Sequence, residues 1–253
     1  MSIKNVLILF VLLTIGSLSF CQEVKIDSVT ITKKEQYKFN YKQVIIPVVL
    51  IGYGVIGLES DGLKLFNSEI SEEVTEHIDE RITIDDFGQY APLAALITLD
   101  IAGVKSKSNR RDKLIIVTTS QLLMGLTVTA LKKITHEERP DHTSFNSFPS
   151  GHTATAFSGA ELLYQEYKDV SVWYGVSGYL VATGVGIFRM YNNRHWLTDV
   201  VAGAGIGILS TKAAYWLYPT INKLFNPKES NTRTSFIPYY DGKTVGFGLV
   251  SNF

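Results

Sequence analysis

The chain has 253 residues, of which 45% are hydrophobic and 19% are charged. It is richer in apolar residues than most soluble domains, so it either buries a large core or lies partly in lipid. Its 24 basic and 24 acidic residues give a formal net charge of zero, which removes the electrostatic reason to expect nucleic-acid binding. Its single cysteine, Cys21, excludes an intrachain disulfide.

The first 21 residues have the pattern of a secretory signal peptide. Lys4 supplies the positive charge, residues 6–18 are apolar, and small residues precede a cleavage site before Gln22. An uncleaved membrane anchor and a lipoprotein site at Cys21 are the alternatives, and the bulky residue before the cysteine disfavours the second.

Six apolar segments predict helices, because they are too long for typical strands and lack a period of two. They are 44–58, 89–104, 114–131, 153–164, 172–188 and 197–218. Most are shorter than the about 20 residues that span a bilayer squarely, so a buried bundle and a set of membrane spans both fit. Gly203 and Gly207 lie inside the last segment, where small residues allow close helix packing.

The remaining segments have other residue patterns. Residues 22–43 predict a polar arm with a short strand at 29–32. An acidic connection follows the first helix and predicts a solvated surface helix; its charges are Glu72, Glu73, Glu76, Asp79 and Glu80. Residues 235–253 predict a β-hairpin around Asp241-Gly242. The predicted organisation is therefore a signal peptide (1–21), an N-terminal region (22–87), a core (88–218) and a tail (219–253).

Three polar clusters lie at the ends of apolar segments. They are Lys132 with Arg139-Pro140, then Phe148-Pro149-Ser150-Gly151-His152, then Arg189 with His195 and Asp199. Each cluster alone is weak evidence, because a Lys-Arg pair is usually a solvated helix end and a Ser-Gly turn is usually an N-cap. Together they predict one site for a phosphoryl group.

The predicted phosphate contacts follow from the charge of the transferring group. Catalysis of phosphoryl transfer is mainly positioning and charge stabilisation. Lys132, Arg139 and Arg189 supply three cations, two of them guanidinium forks that suit paired oxygens. Ser150 offers a hydroxyl donor, and Gly151 offers a backbone N–H at a helix N-terminus.

His195 and His152 have different predicted roles in the reaction. Asp199 follows His195 by four residues, so on a helix the two share a face. The carboxylate sets the imidazole tautomer and leaves the other ring nitrogen free to attack phosphorus. His152 is the candidate general acid. His136 and His142 take the default interpretation of surface or satisfied residues.

These clusters resemble the signature of the type 2 phosphatidic acid phosphatase (PAP2) superfamily, which includes class A acid phosphatases and vanadium haloperoxidases. The signature has a lysine six residues before Arg-Pro, then Pro-Ser-Gly-His, then Ser-Arg with a histidine and an aspartate at set spacings. Its spacing selects Lys132 over Lys133. Phe188 is the one departure, since the family usually has a serine there. The resemblance covers about residues 88–218.

The resemblance implies an all-α fold, a six-helix PAP2-type bundle, here with a short N-terminal arm and a C-terminal β-hairpin. It also implies a phosphatase that needs no metal or cofactor and forms a phosphohistidine at His195. A membrane-embedded enzyme predicts a lipid phosphate substrate: phosphatidate, a polyprenyl pyrophosphate or a lipid A phosphate. The alternatives are a soluble periplasmic acid phosphatase, a vanadate-dependent haloperoxidase and a catalytically silent lipid-binding protein.

The predicted location is a bacterial-type cell envelope, with the active site facing the periplasm. The basic loop 105–113 then lies inside, as the positive-inside rule requires. That orientation places residues 22–43 in the cytoplasm, whereas a cleaved signal peptide places them outside. An uncleaved N-terminus, a buried segment that does not span, or export of the whole bundle would each resolve the conflict. The sequence does not indicate an oligomeric state.

Overall fold

The computed structural model describes residues 39–76, 83–225, 233–240 and 245–252. The predicted signal peptide and the strand predicted at 29–32 lie outside these residues. The helices are α1 (Lys42–Glu59), α2 (Asp61–Thr75), α3 (Ile84–Gly88), α4 (Ala91–Ile101), α5 (Arg110–Thr135), α6 (Gly151–Tyr167), α7 (Val172–Tyr191) and α8 (Leu197–Phe225). The strands are β1 (Arg233–Tyr240) and β2 (Val245–Asn252).

The helix count differs from the prediction. Each of the six predicted segments corresponds to a helix, but the described residues contain eight, because the acidic connection forms both α2 and α3. On α2 the predicted solvated charges Glu72 and Glu73 are exposed. Helix α5 begins earlier than predicted, because the side chain of Asn109 accepts a hydrogen bond from the backbone N–H of Asp112 and caps it.

Helix α6 is the centre of the bundle. Most of its residues are buried, and it packs against α4, α5, α7 and α8. Leu162, Leu163 and Tyr167 join Leu96 of α4 and Ile116 of α5 in the largest core cluster. Because α6 begins at the second polar cluster, the packing of this helix determines where that cluster lies.

The glycines of α8 allow it to lie directly against α6. A Cβ at Gly203 would lie 2.5 Å from the carbonyl oxygen of Ser150, and one at Gly207 would overlap the carbonyl oxygen of Ala154. Gly205 faces the other way, against Pro47 of α1. The glycine-rich stretch therefore serves helix packing, with α6 on one side and α1 on the other.

Within the described part of the chain, three helices are long and apolar enough to cross a membrane: α1, α5 and α8. Large hydrophobic side chains on the outer faces of α1 and α5 are exposed; among them are Ile45, Ile46, Val49, Leu114, Leu122 and Leu126. In water such surface would be unfavourable, whereas in lipid it is not. The structure thus agrees with the membrane setting that the hydropathy suggested.

The tail contains two strands. β1 and β2 pair antiparallel, from Arg233 opposite Asn252 to Tyr240 opposite Val245. The predicted turn at Asp241-Gly242 lies outside the described residues.

We expect Gly207→Ala to destabilise the bundle, because its new methyl group meets the α6 backbone, which cannot move away as a flexible side chain can. Overpacking of this kind typically costs about 1–3 kcal/mol. Thermal unfolding of the detergent-solubilised protein measures the effect. Gly125→Ala on α5 is the matched control, since nothing lies within 4 Å of its Cβ position. An equal melting temperature for the two variants would contradict the close packing.

Candidate active site

His195 lies in the short connection before α8, and Asp199 lies in the first turn of that helix. The expectation that both sit on one helix was wrong, because α8 begins only at Leu197. Both side chains are nevertheless buried, and His195 Nδ1 is 3.5 Å from Asp199 Oδ2. The same carboxylate oxygen accepts a hydrogen bond from the backbone N–H of Trp196 at 3.0 Å. Asp199 therefore also stabilises the N-terminus of α8, directly after His195.

Ser147 is a member of this group that the sequence did not indicate. It is fully buried, and its hydroxyl donates to Asp199 Oδ2 at 2.5 Å and lies 3.5 Å from His195 Nδ1. It stands three residues before the signature serine, where the sequence pattern carries no signal. The hydroxyl holds the carboxylate in place beside the imidazole.

Lys132 reaches the same loop from the end of α5. Its Nζ donates to the carbonyl oxygens of Asn146 and, at 3.2 Å, Ser147. Lys133 is exposed. The structure therefore brings Lys132, and not Lys133, to the predicted site.

Arg139, His152 and Arg189 line one cavity of about 320 Å³. Among the described residues, the Nε atoms of Arg139 and Arg189 are buried without a hydrogen-bond partner. A buried N–H without an acceptor is unfavourable, so both guanidinium groups are suited to an incoming oxyanion. Phe188, the departure from the family signature, packs edge-on against Tyr191 at 6.0 Å between ring centres.

Ser150 and Gly151 form the start of α6, as the motif predicted. The Ser150 hydroxyl is buried and 2.8 Å from Thr153 Oγ1, and its backbone N–H donates to the carbonyl oxygen of Asp199 at 3.0 Å. The second cluster is thus joined directly to the third. Either hydroxyl can be the donor in this pair, so Ser150 can accept from Thr153 and keep its own proton for another acceptor.

Two carboxylates from α3 also line the cavity, and the sequence did not predict their involvement. Asp85 accepts from Arg189 Nη1 at 2.6 Å, and Asp86 lies 3.0 Å from His152 Nε2. These three acceptor-bearing side chains, Asp85, Asp86 and His152, have ligand atoms within 4.8 Å of one another. Arg189 lies against both carboxylates, and its positive charge opposes a metal ion, so we assign none.

The electrostatics of the site favour a neutral His195. Burial holds the pKa of His195 well below its usual range, and the charges of Lys132, Arg189 and Arg139 lower it further. Neutral imidazole is the form that can act as a nucleophile. The same cations that would bind phosphate therefore keep the predicted nucleophile unprotonated.

Residues 113–223 match the PAP2 superfamily, and that range contains every predicted site residue. This part of the chain is similar to proteins of the PAP2 superfamily. Over 135 residues, or 53% of the chain, it is 44% identical to the lipid A 1-phosphatase of Porphyromonas gingivalis. Over 82 residues it is 35% identical to the bacitracin transport permease protein BcrC of Bacillus licheniformis.

The chain spans only part of these curated PAP2 relatives, between 30% and 38% of their lengths. Among solved structures, the fold is similar to a transmembrane PAP2 type phosphatidylglycerolphosphate phosphatase from Bacillus subtilis. The TM-score is 0.50 at 21% identity, and the match covers 73% of this chain and 98% of that one. Aquifex aeolicus LpxE matches with a TM-score of 0.45 at 24% identity, covering 59% and 94%. The membrane PAP2 fold is the architecture that the chain shares with the first of these.

We expect the acid limb of kcat/KM to lie below pH 6.5, the usual pKa of histidine, because His195 stays neutral to lower pH. Lys132→Met removes a positive charge beside the ring, so the pKa of His195 should rise and the limb should move to higher pH. The pH profile of residual aryl phosphate hydrolysis measures this shift. Lys133→Met is the matched control and should leave the profile unchanged. Superimposable profiles for both variants would contradict the electrostatic account.

Proposed function

We propose that the chain is a metal-independent phosphatase that hydrolyses a lipid phosphate through a phosphohistidine at His195. One observation carries the proposal: a buried, neutral imidazole has a carboxylate at one ring nitrogen and three cations around it. Asp199 occupies Nδ1, which leaves Nε2 as the nucleophilic atom. The cations can neutralise the equatorial oxygens of the transferring group.

The reaction has two steps. In the first, His195 Nε2 forms a bond to phosphorus while the bond to the leaving oxygen breaks, and His152 gives that oxygen a proton. Asp199 and Ser147 stabilise the positive charge that develops on the ring. In the second, water attacks phosphorus, His152 takes its proton, and the N–P bond breaks to release inorganic phosphate. The histidines return to their starting protonation states, so no metal is needed.

A lipid substrate is supported by the setting of the site. Lys132 lies at the end of α5 and His195 directly precedes α8, and both helices are long and apolar enough to cross a membrane. The predicted site therefore lies near the level of lipid headgroups. Curated relatives from Porphyromonas gingivalis and Rhizobium etli are both named lipid A 1-phosphatase. A phosphorylated glycolipid of the lipid A type is therefore the first substrate to test.

We also propose that the active site faces the periplasm. Lys132 lies at the end of α5 that is opposite to the basic loop 105–113, and positive loops stay on the cytoplasmic side. Within that loop Arg110 and Lys113 pair with Asp100, but the loop retains exposed Arg111.

We expect His195→Ala to lower phosphate release by at least about a thousandfold, because it removes the atom that accepts the phosphoryl group. His142→Ala is the matched control, since that ring is exposed and bonds only Glu138 among the described residues. Release of phosphate from an aryl phosphate, with and without chelator, measures both. Activity that survives in the first variant, or that chelator removes, would refute the mechanism; halide oxidation dependent on vanadate would refute the reaction class.

We expect detergent-dispersed lipid A 1-phosphate to be hydrolysed with a higher kcat/KM than phosphatidate, and both with a higher value than soluble phosphomonoesters. The reason is that a lipid partitions into the phase in which the cavity opens. Phosphate release from each substrate at matched detergent concentration measures the order. Faster hydrolysis of the soluble esters would contradict a lipid substrate.

A further inference from the structure

The short helix α3 places two adjacent carboxylates in the phosphate cavity, from a part of the chain outside the PAP2 match. Asp85 and Asp86 precede residue 113, where that match begins. Both line the cavity together with Arg139, His152 and Arg189. Carboxylates repel a phosphate dianion, so their presence in an anion site calls for a physical reason.

Asp85 forms a buried ion pair with Arg189. It is 1% exposed, and its two oxygens accept from Arg189 Nη1 at 2.6 Å and from Asn192 Nδ2 at 3.0 Å. Arg189 and Asn192 both lie at the end of α7. The carboxylate therefore holds one edge of the guanidinium, while Nε on the other edge has no partner among the described residues. This contact fixes the orientation of the guanidinium group and leaves its Nε available for an anion.

Asp86 has a different relation, to His152. Its Oδ1 lies 3.0 Å from His152 Nε2 and 3.6 Å from Arg189 Nη1. Its side chain is 51% exposed, whereas that of His152 is 28% exposed. The carboxylate is thus the more exposed member of the pair and bonds one nitrogen of the mostly buried ring.

The charges that face His152 act in opposite directions. The pKa of His152 is lowered overall, because burial and the positive charge of Arg189 outweigh Asp86 and Asp85, which raise it. Arg139 and Arg194 complete the cavity wall and add positive charge. A general acid must carry its proton when the leaving oxygen departs. In a pocket built from cations, a nearby carboxylate is the group that can keep the imidazolium form populated.

We propose that Asp86 is a positioning residue that orients His152 and keeps it protonated for leaving-group departure, and that Asp85 is the anchor of Arg189. This inference rests on the proposed phosphatase function. Asp86 exchanges no atom with the substrate; it acts through the ring of His152. With these two carboxylates, the site contains residues of the acidic connection in addition to the three sequence clusters.

Asp86→Asn tests the role of Asp86, because it keeps the shape and removes the charge. The pKa of His152 should fall, so the basic limb of kcat/KM should move to lower pH. Departure of a poor leaving group depends on the acid more than departure of a good one. At neutral pH we expect a loss of roughly tenfold with an alkyl phosphate and a much smaller loss with a nitrophenyl phosphate. Asp112→Asn, at a half-buried carboxylate in the first turn of α5, is the charge-matched control.

A double variant distinguishes a positioning role of Asp86 from an effect of Asp86 on the stability of the fold. In a His152→Ala background, Asp86→Asn should cause no further loss, since the residue acts through the ring. Asp85→Asn should instead raise the KM and weaken inhibition by inorganic phosphate, because Arg189 loses its anchor. Thermal unfolding of each variant shows whether it folds.

The outcomes distinguish this inference from the proposed function. If His195→Ala and His152→Ala are inactive but Asp86→Asn keeps the wild-type pH profile and leaving-group dependence, the positioning role is refuted and the phosphatase stands. An equal further loss in the His152→Ala background refutes it as well. If both histidine variants keep full activity, the proposed mechanism itself fails.

Discussion

The contact between α8 and the first turn of α6 is the constraint on which the site depends. Gly203 brings the two backbones together at Ser150, and the Ser150 N–H donates to the carbonyl oxygen of Asp199. The Ser-Gly-His motif and the His195–Asp199 pair are thus joined through main-chain atoms. A site joined in this way through its backbone is pre-organised, as charge stabilisation requires.

The same bundle contains buried charges far from the predicted phosphate site, and each has a partner. Glu161 on α6 pairs with Lys212 of α8 at 2.6 Å, and Glu166 accepts from the hydroxyls of Ser108 and Tyr215. Ionised groups in an apolar interior are unfavourable unless paired. The phosphate cavity differs, because two of its guanidinium Nε atoms have no partner among the described residues. That contrast marks it as a place for an anion.

The sequence predicted the helices well, because long apolar runs carry a strong signal, and it predicted the three clusters because their spacing is specific. It could not predict Ser147, whose role comes from its loop lying against Asp199, nor Asp85 and Asp86, which look like two more charges in an acidic connection. The four-residue spacing suggested one helix face for His195 and Asp199, whereas the apolar pattern correctly began the last helix at residue 197, after His195. Contacts between distant segments are the information that spacing lacks.

A site that contains Lys132, Arg139 and Arg189 has two opposed physical requirements. Its cations have to be strong enough to bind a phosphate, yet their mutual repulsion disfavours the empty bundle. Asp85 reduces that repulsion at Arg189 through Nη1, as Asp141 does at Arg194 at 3.0 Å. The Nε of Arg189 stays without a partner among the described residues. The cations also suppress protonation of both histidines, which suits a nucleophile and hinders an acid. Asp86 of α3 lies 3.0 Å from His152 Nε2, and its negative charge opposes the effect of the cations on the proposed acid.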